Sequence, residues 1–268
     1  MLKSLTNLVK GKRRPSGPSV PEGTRYYVIG DIHGCNDHFE ALIMAIEEEA
    51  AEAPELQTRV VLLGDLVDRG PDSASVLDNA RAWQKRRNVQ ILAGNHEEMF
   101  LDSFESTKIL RHFIRHGGRE TILSYGVSPK KYNKASLEEL QAIMHEVVPK
   151  KHRKFMESFD EMIVAGDYVF VHAGIEPGVD LQEQSREDLL WIRDRFLNHE
   201  GQHPLFVVHG HTILEKVDVR ANRIGIDTGA FRYGKLTALV LEGTSRRKIQ
   251  AVGDKPKNIV IKKKDMKS

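Results

Sequence analysis

The chain has 268 residues, 40% apolar and 29% charged, which is the composition of an ordinary globular protein rather than a disordered or membrane one. Its formal net charge of +2 is too small to suggest a nucleic-acid partner. Cys35 is the only cysteine, which excludes an internal disulfide and fits a reducing, cytoplasmic setting.

The first fourteen residues, Met1 to Arg14, hold no apolar stretch that reads as a secretory signal. Leu2, Leu5 and Leu8 fall at helical spacing beside Lys3, Lys10, Lys12, Arg13 and Arg14, so peripheral membrane contact is one reading of this segment. A helix this short is marginal by itself, and a solvated basic tail over residues 1–24 is the expectation, with Arg14–Pro21 as linker.

Folded structure is expected from Tyr26. Tyr26–Ile29 is a short β-branched and aromatic run stopped by Gly30, which predicts a buried strand. Asp37–Ala53 predicts a helix, with Phe39, Leu42, Ile43 and Ile46 on one face. Arg59–Leu63 and Val89–Ala93 predict strands, with a helix over Ser73–Arg86 between them. This β-α-β-α-β alternation with continuously apolar strands argues for a parallel α/β sheet covered on both faces. From Glu97 to Phe159 the texture turns polar and helix-favouring, and we expect a helical cap inserted over residues 98–160. Strands are expected again at Met162–Ala165, Tyr168–Val171, Leu205–Val208, Arg223–Ile226 and Leu236–Leu241, the last two as a meander. Residues 25–245 then form the main domain, and 246–268 read as a Lys-rich solvated tail.

Five of the predicted strands end in polar clusters: Gly30–Gly34 (Asp31, His33), Gly64–Gly70 (Asp65, Asp68, Arg69), Gly94–Glu97 (Asn95, His96), His172–Gly174 and His209–Thr212 (His211). Ligands of open α/β sheets bind beyond the carboxyl ends of strands. Each cluster alone is a weak signal. Together they offer oxygen and imidazole donors and no thiolate, which points to a catalytic metal centre rather than a structural zinc site.

These blocks resemble those of the phosphoprotein phosphatases within the calcineurin-like metallophosphoesterases, over Tyr26 to Leu241 and nearest the small bacterial members. The resemblance implies a four-layer α/β/β/α sandwich. It implies two divalent metal ions, manganese by preference, with iron or zinc as alternatives. Asp31 and His33 would bind the first, Asp65 would bridge both, and Asn95, His172 and His211 would complete the second. A hydroxide held between the metals would attack phosphorus directly. His96 would protonate the leaving oxygen, oriented by Asp68, and Arg69 and Arg193 would grip the phosphate. For the last role Arg186 and Arg195 compete with Arg193.

The implied activity is removal of phosphate from phosphoserine and phosphothreonine in a phosphoprotein or phosphopeptide. A symmetrical dinucleoside tetraphosphate hydrolase is the alternative enzyme, disfavoured by Asp68, by Glu97 and by the Gly210-His-Thr212 ending. A catalytically silent scaffold is disfavoured because all six ligands and His96 are present. Asp227 resembles a carboxylate that steadies a ligand histidine, and Glu97 either does the same or caps a helix. Cys35 and His209 read as packing groups, and His112, His116, His145 and His152 as solvated. The cap is expected to shape access without supplying catalytic groups. Oligomeric state has no sequence signal.

Overall fold

The computed structural model describes residues 17–266. The basic segment Met1–Arg14, with its expected solvated tail and the membrane contact read from it, lies outside them. Two mixed sheets form the middle of the molecule. The first runs in the order β11-β10-β9-β1-β2-β3 and the second β4-β5-β6-β8-β7. In the first sheet β1 (Thr24–Ile29), β2 (Gln57–Leu62) and β3 (Val89–Ile91) are parallel, crossed by α1 (Asn36–Glu52) and α2 (Ser73–Gln84). The expected parallel β-α-β-α-β unit is thus present, and the sheet becomes mixed beyond it: β9 (Lys235–Glu242) joins β1 antiparallel, and β10 (Ser245–Val252) and β11 (Val260–Asp265) continue outward antiparallel. The second sheet comprises β4 (Met162–Ala165), β5 (Tyr168–Val171), β6 (Phe206–His209), β7 (Asp218–Val219) and β8 (Arg223–Gly225), with β5, β6 and β8 mutually parallel.

Alternation along β1 explains why its run is continuously apolar. Tyr27 and Ile29 point to the helices, whereas Tyr26 and Val28 point to the second sheet, and both faces are buried. Between the sheets lie Val61, Leu63, Leu239 and Leu241 against Ile163, Tyr168, Phe170, Val208 and Ile224. Outside the second sheet, Val169, Val171 and Val207 meet Leu189, Leu190 and Phe196 of α9 (Arg186–Trp191) and α10 (Asp194–Leu197). The four layers are therefore helix, sheet, sheet, helix.

The insertion contains α3 (Asn95–Asp102), α4 (Thr107–Phe113), a π-helical turn (Ile114–Gly118), α5 (Arg119–Ser124), α6 (Pro129–Lys134), α7 (Leu137–Val147) and α8 (Lys150–Met156). Its polar surface hides an apolar stripe. Phe100, Phe104, Leu110, Phe113, Ile122, Leu140 and Met144 extend the core that covers α1 and α2, with Phe100 stacked on Phe113 at 5.1 Å. Consequently His152, expected to be solvated, is buried: Asp78 Oδ1 lies 3.0 Å from its Nε2, and the Tyr125 hydroxyl 2.9 Å from its Nδ1.

Three further expectations change. The meander fails because β8 and β9 lie in different sheets, joined by a crossing that carries α11 (Ala230–Tyr233). The Lys-rich tail is instead mostly strand. Ile249 and Ala251 bury one face of β10 under α1, while Arg247 and Lys263 pair with Glu49. Charged residues between those apolar positions made the segment read as solvated. Finally, Pro18–Pro21 is anchored rather than free: Val20 is buried and donates its N–H to the Gly243 carbonyl at 3.1 Å. Among the described residues no helix is long and apolar enough to cross a membrane.

Candidate metal centre

The carboxyl ends of β1, β2, β3, β5, β6 and β8 converge, and every residue of the expected site except Arg193, which stands between α9 and α10, lies in a segment that begins at one of them. Backbone bonds tie the loops into one frame. The Ile32 and His33 N–H groups donate to the Asp65 carbonyl, Gly34 donates to Leu66, and Gly210 donates to the His172 carbonyl. Gly210 is required by close approach, because a Cβ there would overlap the Asp31 carboxylate. Glu97 clamps the same frame. Its carboxylate accepts from the Asp65, Leu66, Val67 and Gly94 N–H groups at 2.8–3.2 Å, so it both caps α3 and secures the loop after β2. Burial and the nearby Asp65 charge push Glu97 up to about 7.

Two compact donor groups share Asp65: His33, Asp65 and His96 on one side, and Asp65, His172 and His211 on the other. The orientation of the imidazoles shows what the groups can hold. His33 Nδ1 donates to the Val67 carbonyl at 2.8 Å, and His172 Nδ1 donates to the Leu63 carbonyl at 2.8 Å. Each therefore turns a bare Nε2 lone pair inward. His172 Nε2 stands 3.1 Å from Asn95 Oδ1 and 3.4 Å from Asp65 Oδ1, an array of acceptors facing one another. Asn95 Oδ1 also lies 2.9 Å from His211 Nδ1, while His211 Nε2 has no partner among the described residues. Burial keeps all three imidazoles below their ordinary pKa, His211 down to about 2, and the neutral form is the one that ligates a metal. Convergent, buried acceptors of oxygen and imidazole type are what a divalent cation satisfies.

Asp31 reaches the centre from beside His211, whose backbone N–H donates to both its oxygens at 3.0–3.1 Å. Burial, then the Asp227 and Asp65 charges, raise the Asp31 carboxyl well above the usual carboxylate range. Asp227 itself departs from expectation. It steadies no histidine; its Oδ1 accepts from the Gly229 N–H at 3.0 Å, and it lies against Asp31 instead.

Asp68 and His96 form a buried pair, with Nδ1–H donating to Asp68 Oδ2 at 2.6 Å. Burial alone would lower the His96 imidazole, but the charges of Asp65 and Asp68 outweigh it and raise it above its ordinary value. The Arg69 fork lies across both histidines, donating from Nη1 to His33 Nε2 at 2.6 Å and from Nη2 to His96 Nε2 at 2.8 Å. Its guanidinium also sits 5.0 Å over the Phe231 ring, whose edge meets His33. Phe231 escaped the sequence reading because nothing in Ala230–Tyr233 marks it before α11 is placed beside the centre.

Of the competing arginines, Arg186 pairs with Glu98 and Glu161, and Arg195 with Glu176 and Asp188. The charge of Arg193 instead reaches His172 and His211, where burial is the main cause of their lowered pKa and Arg193 adds to it. Trp191 stands 6.4 Å from His211 and donates to Glu98 at 3.0 Å. Cys35 is buried filler with its thiol pushed up to about 12, and His209 packs between Phe196 and Arg223. His112, His116 and His145 are exposed, the last with Nε2 3.1 Å from the Phe104 carbonyl.

Fold and centre together define a phosphoesterase of the metal-dependent type. The calcineurin-like phosphoesterase family matches residues 24–234, and the chain belongs to it. It is 31% identical, over 79% of its length and 89% of the relative's, to a serine/threonine-protein phosphatase 1 of Salmonella typhimurium. It is 26% identical, over 79% and 88% of the two chains, to the asymmetrical bis(5'-nucleosyl)-tetraphosphatase PrpE of Geobacillus thermodenitrificans. A solved structure given as a candidate diadenosine tetraphosphatase shares the fold with a TM-score of 0.61 at 19% identity, covering 89% of this chain and all of that one.

Proposed function

We propose that this protein is a divalent-metal-dependent hydrolase of phosphoric monoesters, acting on phosphoserine and phosphothreonine in proteins. The observation that carries the reading is the buried Asp68–His96 pair, 2.6 Å long, set at the edge of the donor groups that share Asp65. Asp31, His33 and Asp65 are the residues proposed to hold one cation, and Asp65, Asn95, His172 and His211 the other. When bound, two such ions supply positive charge to the phosphoryl oxygens and an activated water; manganese is the ion proposed, with iron or zinc fitting the same donors.

The protein's own groups do the rest. His96 holds a proton at Nε2 for the leaving oxygen, with Asp68 keeping the ring in register through Nδ1. Arg69 turns its fork from the two histidines to two phosphate oxygens, a bidentate match that lysine could not make. Arg193 is the second arginine proposed to meet the phosphate. The similarity to a named serine/threonine phosphatase supports the choice of substrate.

A second reading, hydrolysis of dinucleoside tetraphosphates, has its own support in several relatives at 24–26% identity that carry the asymmetrical tetraphosphatase name. The deciding experiment compares kcat/KM with Mn²⁺ on a phosphothreonine peptide, a phosphotyrosine peptide and diadenosine tetraphosphate. Preferred release of inorganic phosphate from the phosphothreonine peptide is expected. Preferred cleavage of the dinucleotide to ATP and AMP would replace our reading with the second.

A further inference from the structure

We propose that Thr121, carried by the helical insertion, is a positioning residue for proton delivery: its hydroxyl holds Asp68 so that Asp68 holds His96. The inference rests on the hydrolase reading above, and it gives the insertion a part in catalysis.

One hydroxyl grips Asp68 at two places. Thr121 Oγ1 donates to Asp68 Oδ1 at 2.6 Å and accepts from the Asp68 backbone N–H at 2.8 Å. Ser73 Oγ stands 2.9 Å from Thr121 Oγ1 and also accepts from the Asp68 N–H, at 3.0 Å. The protons can be counted. Thr121 has a single O–H, which goes to the carboxylate, so Ser73 donates its own to Thr121. Asp68 Oδ2 is thereby left to His96 Nδ1–H alone. Asp68, Ser73 and Thr121 are fully buried and His96 almost so, and no solvent can substitute for a missing donor.

Backbone conformation gives this grip its importance. Asp68 and Arg69 are consecutive residues with φ of 73° and 68°, in the left-handed region that side chains disfavour. Such a pair persists only where its surroundings hold it. The insertion holds both members, Asp68 through Thr121 of α5 and Arg69 through the Gly117 carbonyl, which accepts the Arg69 N–H at 3.1 Å. Gly117 has φ of 107°, and a Cβ there would overlap the Arg69 backbone at 2.7 Å, so the π-helical turn can approach only as glycine. Without the Thr121 hydroxyl, Asp68 is free to turn about its χ angles and the imidazole loses its aim, an error that matters steeply for proton transfer.

A hydroxyl that merely satisfied buried groups would also be needed for folding, so the test must read proton delivery itself. Proton donation matters for an ester whose leaving oxygen is a strongly basic alkoxide, such as phosphothreonine. It matters little for p-nitrophenyl phosphate, whose phenolate leaves unassisted. With Mn²⁺ present, Thr121→Val is expected to lower the ratio of kcat on a phosphothreonine peptide to kcat on p-nitrophenyl phosphate by about 10–100-fold, part of the full contribution of a general acid. KM for the peptide should stay within about threefold, and Thr121→Ser should restore the ratio. An equal loss on both esters, or an unmoved ratio, would overturn the proposal. Should Thr121→Val not fold, Thr121→Cys keeps the volume with a weak donor and must lower the same ratio. His96→Asn, measured alongside, separates the two levels of inference. If it leaves the ratio unmoved, the acid role of His96 fails and that of Thr121 with it. If it moves the ratio and the Thr121 variants do not, the Thr121 role alone fails.

Discussion

Among the described residues, five that are not glycine carry positive φ: His33, Asp65, Asp68, Arg69 and His211, at 47°, 49°, 73°, 68° and 61°. All five belong to the centre. Each costs stability, and each turns a donor inward at the end of a strand, so local strain and function coincide. His96 is the residue whose role these positions leave sharpest to test. It groups with His33 and Asp65 at ligand distance, yet its Nδ1 is committed to Asp68. His96→Asn should retain both metals by elemental analysis and lower kcat on a phosphothreonine peptide by about 10²–10⁴. Loss of metal in step with activity would make His96 a ligand instead.

At the scale of elements, the outer half of the first sheet depends on a charge buried beneath it. Glu49, near the end of α1, accepts from the Tyr27 hydroxyl at 2.8 Å and pairs with Arg247 of β10 and with Lys263 of β11 at 3.1 Å. Burial alone would raise its carboxyl, but the Arg247 and Tyr27 hydrogen bonds and the charge of Arg247 outweigh it and bring it down to about 2 from an ordinary 4.5. A carboxyl lowered on folding contributes stability that is present above about 4.5 and is lost as pH falls from there toward 2. Glu49→Gln should therefore destabilise the protein by about 1–3 kcal/mol near neutral pH. It should also flatten the acid limb between those values, as read by urea unfolding across pH. An acid limb as steep as that of the unsubstituted protein would remove Glu49 as its source. The helices of the insertion show the same dependence of an element on what it covers. Their apolar stripe extends the core that covers α1 and α2, and the buried face so formed delivers Thr121 to Asp68.

Considered whole, the molecule spends two sheets on bringing six loops to one point. The resulting cluster gathers Asp31, Asp65 and Asp227 in near-complete burial, with Asp227 pushed up to about 6 by that burial. Carboxylates so placed repel one another, and bound dications offset the repulsion. Metal binding should therefore stabilise the fold through mass action, by about 2.7 kcal/mol at one hundred times the dissociation constant and 4.1 at a thousand times. Titration with Mn²⁺ should raise Tm in proportion, a chelator should lower it, and Asp65→Ala should abolish the response. A melting curve indifferent to metal and chelator would contradict the donor assignment.

The sequence by itself determined the chemistry of the centre. Turn glycines, carboxylates and imidazoles sit within a few residues of apolar strand runs, and a strand that ends in a tight turn must present those side chains at the sheet's edge. The β1, β2 and β5 runs and the first two helices were legible for the same reason: burial on both faces, or on one stripe, leaves a periodic trace. Contacts between segments distant in sequence leave none. Nothing local shows that β8 and β9 part into different sheets, that Arg247 and Lys263 answer Glu49, or that Asp227 lies against Asp31. Nor does the sequence show that a threonine in the inserted helices closes on Asp68, 53 residues away. Those pairings are decided by how layers pack, because a side chain's partner depends on which faces meet, and that is a property of the tertiary structure.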